Sequence, residues 1–540
     1  MQKKIFTLCF VLIALVQLGW SQSYVVSGIE KTDKEGMQYE VLGKLGNHYW
    51  IYKKNGTIST IAQYNEQMQL VKQNDLTFLP AQVQQIEFIK RDQQLFAFYQ
   101  FQNNKTVYAA LATLKSDGQL NGDPVILDTA QNIRPGSRAK IFNLIESDDH
   151  QRILLFSVNT SNPSSIKLKT SSYNGNFEET ADATISINSA NKKSTLSDFA
   201  LDNKGNLYCL RNTTQNGSAP AVSLIYLSEG GREVIESPVL NAQFLLDDIR
   251  LKIDNTNNRV VLNSFYAISK KGNIEGLYTY IWDANIKTEI LSSANRFTDA
   301  NRALVTSKRN LKTALDAYYI DKVKTQSNGD YIVMAESAET YSNRSAFSRW
   351  DYFWGGPFYN PFMFNYWNRP FGFYPWTRFG WGGFGGMGFG PGFGWGWGYG
   401  FGWGGMGGFW NPYASFGYPS VTYNANQIAL MSFNQKGDLQ WVKTIDKSQS
   451  DMNVDQFIGY GSFENNNGVN IIYYQKQKGQ RQFVFNTLTN EGALSKGESI
   501  NLQEKRFDWM PRALKQVGEK ECIIPYQYNN KIGFAKVQLK

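Results

Sequence analysis

One unit recurs along the chain at a spacing of about fifty residues: a short apolar strand, a tight polar turn usually bearing glycine, and another short strand. Copies run from Ser59 to Leu70, Tyr108 to Leu120, Leu168 to Phe177, Ser223 to Arg232, Ile428 to Leu439 and Phe483 to Leu494, with a degenerate one from Leu277 to Ile286. Each is preceded by further strand candidates rich in β-branched and aromatic residues and bounded by Asn, Gly and Asp. Examples are Gln94–Tyr99, Arg152–Ser157, Asn206–Leu210, Arg259–Asn263, Asp330–Met334 and Val469–Tyr474. Units begin near residues 40, 85, 141, 196, 247, 316, 456 and 510, with most steps between 45 and 69 residues. A unit of this length with four strands predicts an all-β chain folded as a β-propeller of about eight four-stranded blades, with seven as the alternative count. Stacked β-sandwiches would also supply many short strands, but not so regular a unit.

The last unit has only three strand candidates, Ala513–Val517, Cys522–Tyr526 and Ile532–Val537. Residues Tyr24–Ile29, which precede the first complete unit, are the expected fourth. Pairing the two ends in one blade would close the ring and remove its exposed edges. Asp117-Gly118 and Asn174-Gly175 are hairpin dipeptides whose residues tolerate positive φ.

The step from 316 to 456 is too long by some 80 residues, and the excess has its own composition. From Gly388 to Gly404 every second residue is glycine, alternating with Phe389, Pro391, Phe393, Trp395, Trp397, Tyr399, Phe401 and Trp403. Nine of the 14 tryptophans fall between Trp350 and Tyr418, and no charged residue occurs from Phe379 to Gln435. Glycine loses the most backbone entropy on ordering, and alternate glycines remove half of the packable side chains. Such a segment adds little to a globular core, so residues 346–420 read as an insertion into blade six, flanked by propeller residues 22–345 and 421–540.

The N-terminus has the pattern of an export signal over residues 1–21: Lys3 and Lys4, an apolar run from Ile5 to Val16, and Gly19 and Ser21 at a cleavage site. The compartment expected from it is the periplasm, outer membrane or surface of a Gram-negative cell. Without Lys3 and Lys4, 53 basic residues face 46 acidic ones, with no basic run longer than two. This distribution points to neither nucleic acid nor an anionic lipid surface. Cys209 and Cys522 are expected as two separate buried thiols.

The stretch Phe433-Asn-Gln-Lys-Gly-Asp-Leu-Gln-Trp441-Val-Lys443 resembles the repeat of quinoprotein-like propellers of exported bacterial proteins, in which a glycine turn leads to a tryptophan docked between blades. The resemblance covers part of one blade. The other copies place Gly122, Glu179 and Lys496 at that position, and neither an adjacent cysteine pair nor a calcium constellation accompanies it. No cofactor is implied.

Catalytic patterns are weak. The two histidines, His48 and His150, lie in different units without Cys-x-x-Cys, and no Gly-x-Ser-x-Gly elbow occurs. Asp148, Asp149, Asp247, Asp248 and Asp508 are loop acids that a propeller could bring together across its axis, although turn acids usually bond local backbone. Asp202–Asn206 and Asp254–Asn258 only partly match calcium loops and fit ordinary turns better. The reading is therefore a non-enzymatic interaction platform in the outer envelope. Its contact element is the aromatic insertion, with Trp376, Trp381, Phe389, Phe393, Trp395, Trp397, Tyr399, Phe401, Trp403 and Trp410 facing an outer-membrane protein or envelope assembly, for instance as a docked or plugging subunit of a channel. Self-association through stacked glycine faces is a further reading. The alternative is a carbohydrate-binding or carbohydrate-active propeller using loops over the channel.

Overall fold

A computed structural model describes residues 23–342, 402–403 and 421–539, apart from residues 34–36, 92–93, 136–139, 163, 189–192, 215–220, 240–243, 247–248, 270–271, 307–308, 453–455, 478–479, 496, 503–505 and 530. The signal-like segment and nearly all of the insertion thus lie outside the described residues. The strands form eight separate antiparallel sheets, most of them meanders taken in chain order, whereas the eighth joins strands from the two extremes of the described residues. Blades one to seven occupy 37–75, 83–130, 142–188, 193–238, 245–296, 318–452 and 460–501. These bounds follow the repeat read from the sequence, and the count is eight.

Burial changes systematically from the axis outward, because a middle strand is covered on both faces by neighbouring blades whereas the outermost strand is half solvated. The second strand of blade five, Arg259–Ala267, is buried at all nine positions. The outer strand of blade three, Glu179–Asn188, is mostly exposed and alternates. An apolar cluster fills the interface of every adjacent pair of blades. Tyr52 and Tyr99 belong to the cluster between blades one and two, Phe98 and Leu155 to that between two and three, and Leu154 and Leu207 to that between three and four. Tyr226 meets Trp282 between four and five, Phe265 meets Val333 between five and six, and Leu430 meets Ile471 between six and seven. Phe483 with Trp509 and Tyr39 with Phe534 complete the circle through blade eight. Each such side chain fully removed from water contributes about 1.5–3 kcal/mol.

Blade eight is built from both ends of the chain. Its inner edge is Asp508–Trp509 and Lys515–Gln516, followed by Glu521–Tyr528 and Lys531–Gln538, and its outer strand is Ser23–Val26, paired antiparallel with Ala535–Gln538. The expected closure by residues near Tyr24 is present. Ser27 fastens it, with Tyr526 Oη donating to its carbonyl at 2.6 Å and its own Oγ accepting from Phe534 N at 3.0 Å. Glu66 of blade one completes the joint with Lys536 of blade eight at 2.6 Å.

The turns from inner to second strand and from third to outer strand open on one face of the ring, here called lower. Second-to-third turns and blade-to-blade connections open on the upper face. Many lower turns share a five-residue form. In Asn434–Asp438, Asn434 Oδ1 accepts from Lys436 N and Asp438 N at 2.9 Å each, and Gly437 takes φ +78°. Gly118 takes φ +82° in the same way. The Asn174 turn differs from the expectation: Phe177, not Gly175, carries the positive φ of 62°. There Asn174 Oδ1 binds the N–H groups of Asn176 and Glu178, which moves the left-handed residue to the fourth position. Trp441 docks between blades six and seven, against the turn at Gly492.

Candidate functional site

The upper end of blade six departs from the repeat. Its third strand, Val421–Phe433, has 13 residues and its outer strand, Leu439–Met452, has 14, whereas no other strand among the described residues exceeds 10. The second strand, Tyr331–Ser337, is continued by Glu339–Ser342. Glu339–Ser342 pairs with Asn424–Val421, and Thr422 pairs with Met452. Three strands thus rise together above the blade as a platform, and the 346–420 insertion leaves from and returns to its tip at the paired residues Ser342 and Val421.

The root of this platform is charged and dry. Glu336 and Lys447 are both fully buried and ion-paired, and Arg512 of blade eight donates to Glu336 Oε2 at 2.8 Å. Burial alone would raise the Glu336 carboxyl, but Lys447 and Arg512 hold it below the usual carboxylate range. Burial lowers Lys447 to about 8 despite its partner. Gln449 accepts from Lys447 Nζ at 2.9 Å and from Gly459 N at 2.8 Å, and donates to Tyr474 O at 2.6 Å. The network therefore ties blade six to blades seven and eight.

A short helix, Asp299–Leu304, capped by Thr298, packs beside the outer strand of blade six on the upper face. Its Arg302 is buried and donates to the carbonyls of Phe297 at 3.1 Å, Lys312 at 3.1 Å, Ile274 at 3.0 Å and Glu275 at 3.0 Å. A buried guanidinium consumed by backbone acceptors fixes the helix without a long apolar stripe. Three aliphatic side chains stand exposed around this edge: Ile268 at 61%, Leu304 at 54% and Met452 at 59%.

Charges on the innermost strands meet near the axis. On the lower side Lys322 is 2.8 Å and Lys324 3.5 Å from Glu464 of blade seven. Burial would raise that carboxyl, but these two lysines together with Lys252 of blade five lower it to about 2. Lys252 also reaches Asp148 of blade three at 3.2 Å, skipping blade four. On the opposite side of the ring, burial pushes Glu40 up to about 8, against the pull of Lys515 and with a contribution from Glu87. Glu87, 3.0 Å from Lys140, is pushed up to about 7 by burial despite that lysine.

Of the insertion residues expected to make contacts, Trp376, Trp381, Phe389, Phe393, Trp395, Trp397, Tyr399, Phe401 and Trp410 lie outside the described residues. Trp403 is described through its backbone: Gly402–Trp403 pairs with Tyr39 and Gln38, at the upper end of blade one's inner strand. The described loop acids do not converge. Asp148 serves Lys252 and Asn255, Asp149 accepts from Ser147 Oγ and Gln151 N within its own turn, and Asp508 pairs with Lys476. Asp247 and Asp248 are outside the described residues. Asp202 Oδ1 binds the N–H groups of Lys204 and Asn206, and Asp254 accepts from Asn257 and Arg259, as ordinary turns require. His150 Nδ1 sits 3.1 Å from Glu146, which already pairs with Arg91. No metal-ligating cluster occurs among the described residues. Cys209 and Cys522 are separate, free and buried. Sequence reasoning missed Glu40, Glu87, Glu336 and Lys447. The available signal was a lone charge inside an apolar strand, as in Tyr-Ile-Val-Met-Ala-Glu336-Ser.

No family model matches the chain, and no curated protein matches it in sequence. Among solved structures it is similar to the WD40 domain of SCAP from fission yeast, at 9% identity and TM-score 0.35 over 96% of both chains. It is also similar to prolyl oligopeptidase B from Galerina marginata, at 8% identity and TM-score 0.38, covering 92% of this chain and 56% of that one. A polysaccharide lyase, an ulvan lyase, matches at 8% identity and TM-score 0.34, covering 83% and 90%. Scores this low carry no inference about activity.

Proposed function

We propose that this protein is an exported, non-enzymatic propeller serving as an interaction platform in the outer envelope of a Gram-negative cell. Its aromatic insertion contacts an outer-membrane protein or assembly, for example as a docked subunit of a channel. The observation that carries the reading is the platform on blade six: the ring is closed and its eight interfaces are filled by the blades themselves, yet three strands are extended to hold both ends of the insertion. Residues that the fold does not require, rich in Trp and Gly and joined to the tip of that platform, suit contact better than stability. Interfacial preference of Trp and Tyr supports a membrane-bound partner. The resemblance of Phe433–Lys443 to quinoprotein-like repeats supports this reading only as a likeness of blade sequence, and it implies no cofactor.

Replacing residues 350–418 by a short Gly-Ser linker tests it. The expected protein folds, with unchanged far-ultraviolet circular dichroism, and no longer sediments with envelope fractions or co-purifies with a detergent-solubilised membrane protein. Retained envelope association refutes the reading. A second reading, carbohydrate binding or chemistry at the axis, is favoured by Glu40 and Glu87, two carboxyls held near neutrality on adjacent blades. It predicts that a bound or cleaved polysaccharide is lost in Glu87→Gln while envelope association persists.

A further inference from the structure

Ile268 lies in the upper turn of blade five, Leu304 ends the helix beside blade six, and Met452 ends the outer strand of the platform. Single exposed aliphatics are unremarkable on a protein surface. These three stand on elements that converge on one upper edge, where the helix packs against the strand that Met452 ends. The chain supplies an occupant of matching chemistry at the same place. The 78 residues from 343 to 420 leave Ser342 and return at Val421, which are paired, and Thr422 next to that pair is itself paired with Met452. The described residues that flank the segment, Ser342 and Val421, therefore have Cα atoms about 5 Å apart, next to the strand that Met452 ends. Its entry side carries Trp350 and Trp354 and its exit side Trp410 and Tyr418, each within about a dozen residues of the platform, a reach of up to about 40 Å. The segment's described pair, Gly402–Trp403, lies at the upper end of blade one.

We infer that the patch of Ile268, Leu304 and Met452 is the docking site for the aromatic roots of the chain's own 346–420 segment, which leaves the alternating Gly388–Gly404 centre for other contacts. The inference concerns the free protein and stands whether or not an envelope partner exists. Methionine oxidation by peroxide, read by mass spectrometry on the purified full chain and on the linker-replaced chain, tests it. Docking predicts that Met452 oxidises on the order of tenfold more slowly in the full chain. Equal rates overturn the proposal, and so does protection that appears only after solubilised membranes are added. Leu304→Cys in the full chain provides a measurement independent of the replacement. It is expected to react with a maleimide at a rate close to that of the buried Cys209 and Cys522. Reaction at the rate of a free surface thiol overturns the proposal.

Discussion

Replacing Glu336 by glutamine keeps the shape of the side chain and removes the carboxylate paired with both Lys447 and Arg512, leaving Asp321 as the remaining acid that acts on Lys447. Breaking a buried pair by deleting one partner costs about 3–5 kcal/mol, because the surviving charge is left without compensation. Here the loss has a ceiling. Lys447 is already depressed from 10.5 to about 8, and once unpaired it can shed its proton. Beyond that point its share stops growing, so the lower part of the range, about 3–4 kcal/mol near pH 6, is expected. The sign of the pH dependence follows from the two shifts. A lysine depressed in the folded state binds fewer protons there than when unfolded, so stability rises with pH through the window between its folded and unfolded values. In the wild type that window opens near 8; in Glu336→Gln it opens lower. The difference between the two proteins therefore shrinks by about 1 kcal/mol per pH unit as pH rises towards 8. Glu336, held below its unfolded value, contributes stability above about 4.5 that is lost as pH falls through its folded value, so the difference shrinks again in acid. Urea unfolding followed by tryptophan fluorescence at pH 4, 6 and 8.5 should give the largest wild-type-minus-mutant gap at pH 6. A gap below about 0.5 kcal/mol, or one independent of pH, would refute a charged network at the platform root.

Gly437→Ala should destabilise by about 1–2 kcal/mol in thermal unfolding, since its φ of +78° disfavours a side chain and an added Cβ would lie 3.0 Å from Leu291 Cδ2. Glu464→Gln leaves Lys252, Lys322 and Lys324 facing one another at the axis; a loss of about 1–3 kcal/mol, partly restored by raising salt from 0.05 to 0.5 M on the order of the screening length, is expected in denaturant titrations. Burial raises both the Cys209 and Cys522 thiols, so neither should react with Ellman's reagent in the native protein, and both should react in guanidinium.

Most of the ring was legible because a blade is a local object. Its four strands are consecutive, and the alternation of apolar runs with Asx- and Gly-bearing turns marks each one. The closing strand was legible as well, since a unit of three strands at one end and an orphan strand near Tyr24 at the other have a single economical solution. Local pattern misplaced the positive φ at Asn174-Gly175, because the choice lay in which amides Asn174 Oδ1 accepts, a matter of turn length. It also gave no sign of Glu336, Lys447 and Arg512 as one group, since these residues come from three separate stretches and meet only where blades six and eight approach each other. Nor could it show the platform: Val421–Met452 reads as an ordinary hairpin, and its excess length has meaning only beside the other blades.

The pairing of Ser23–Val26 with Ala535–Gln538 has a consequence for how the chain acquires its structure. During synthesis, the partners of this ladder emerge about 500 residues apart, so seven blades can form as successive hairpins while the eighth waits for Lys531–Gln538. Joining ends about 500 residues apart in a flexible chain would cost about 5–6 kcal/mol in closure entropy, but each blade that docks on its neighbour shortens the slack remaining. A chain lacking its last thirty residues would thus hold most of its blades and remain an open arc, with the strand Ser23–Val26 and the flanks of blades one and seven exposed to pairing with other molecules. Closure of the ring thus depends on Glu521–Gln538 meeting Ser23–Val26, and it separates closed from open copies by their tendency to associate.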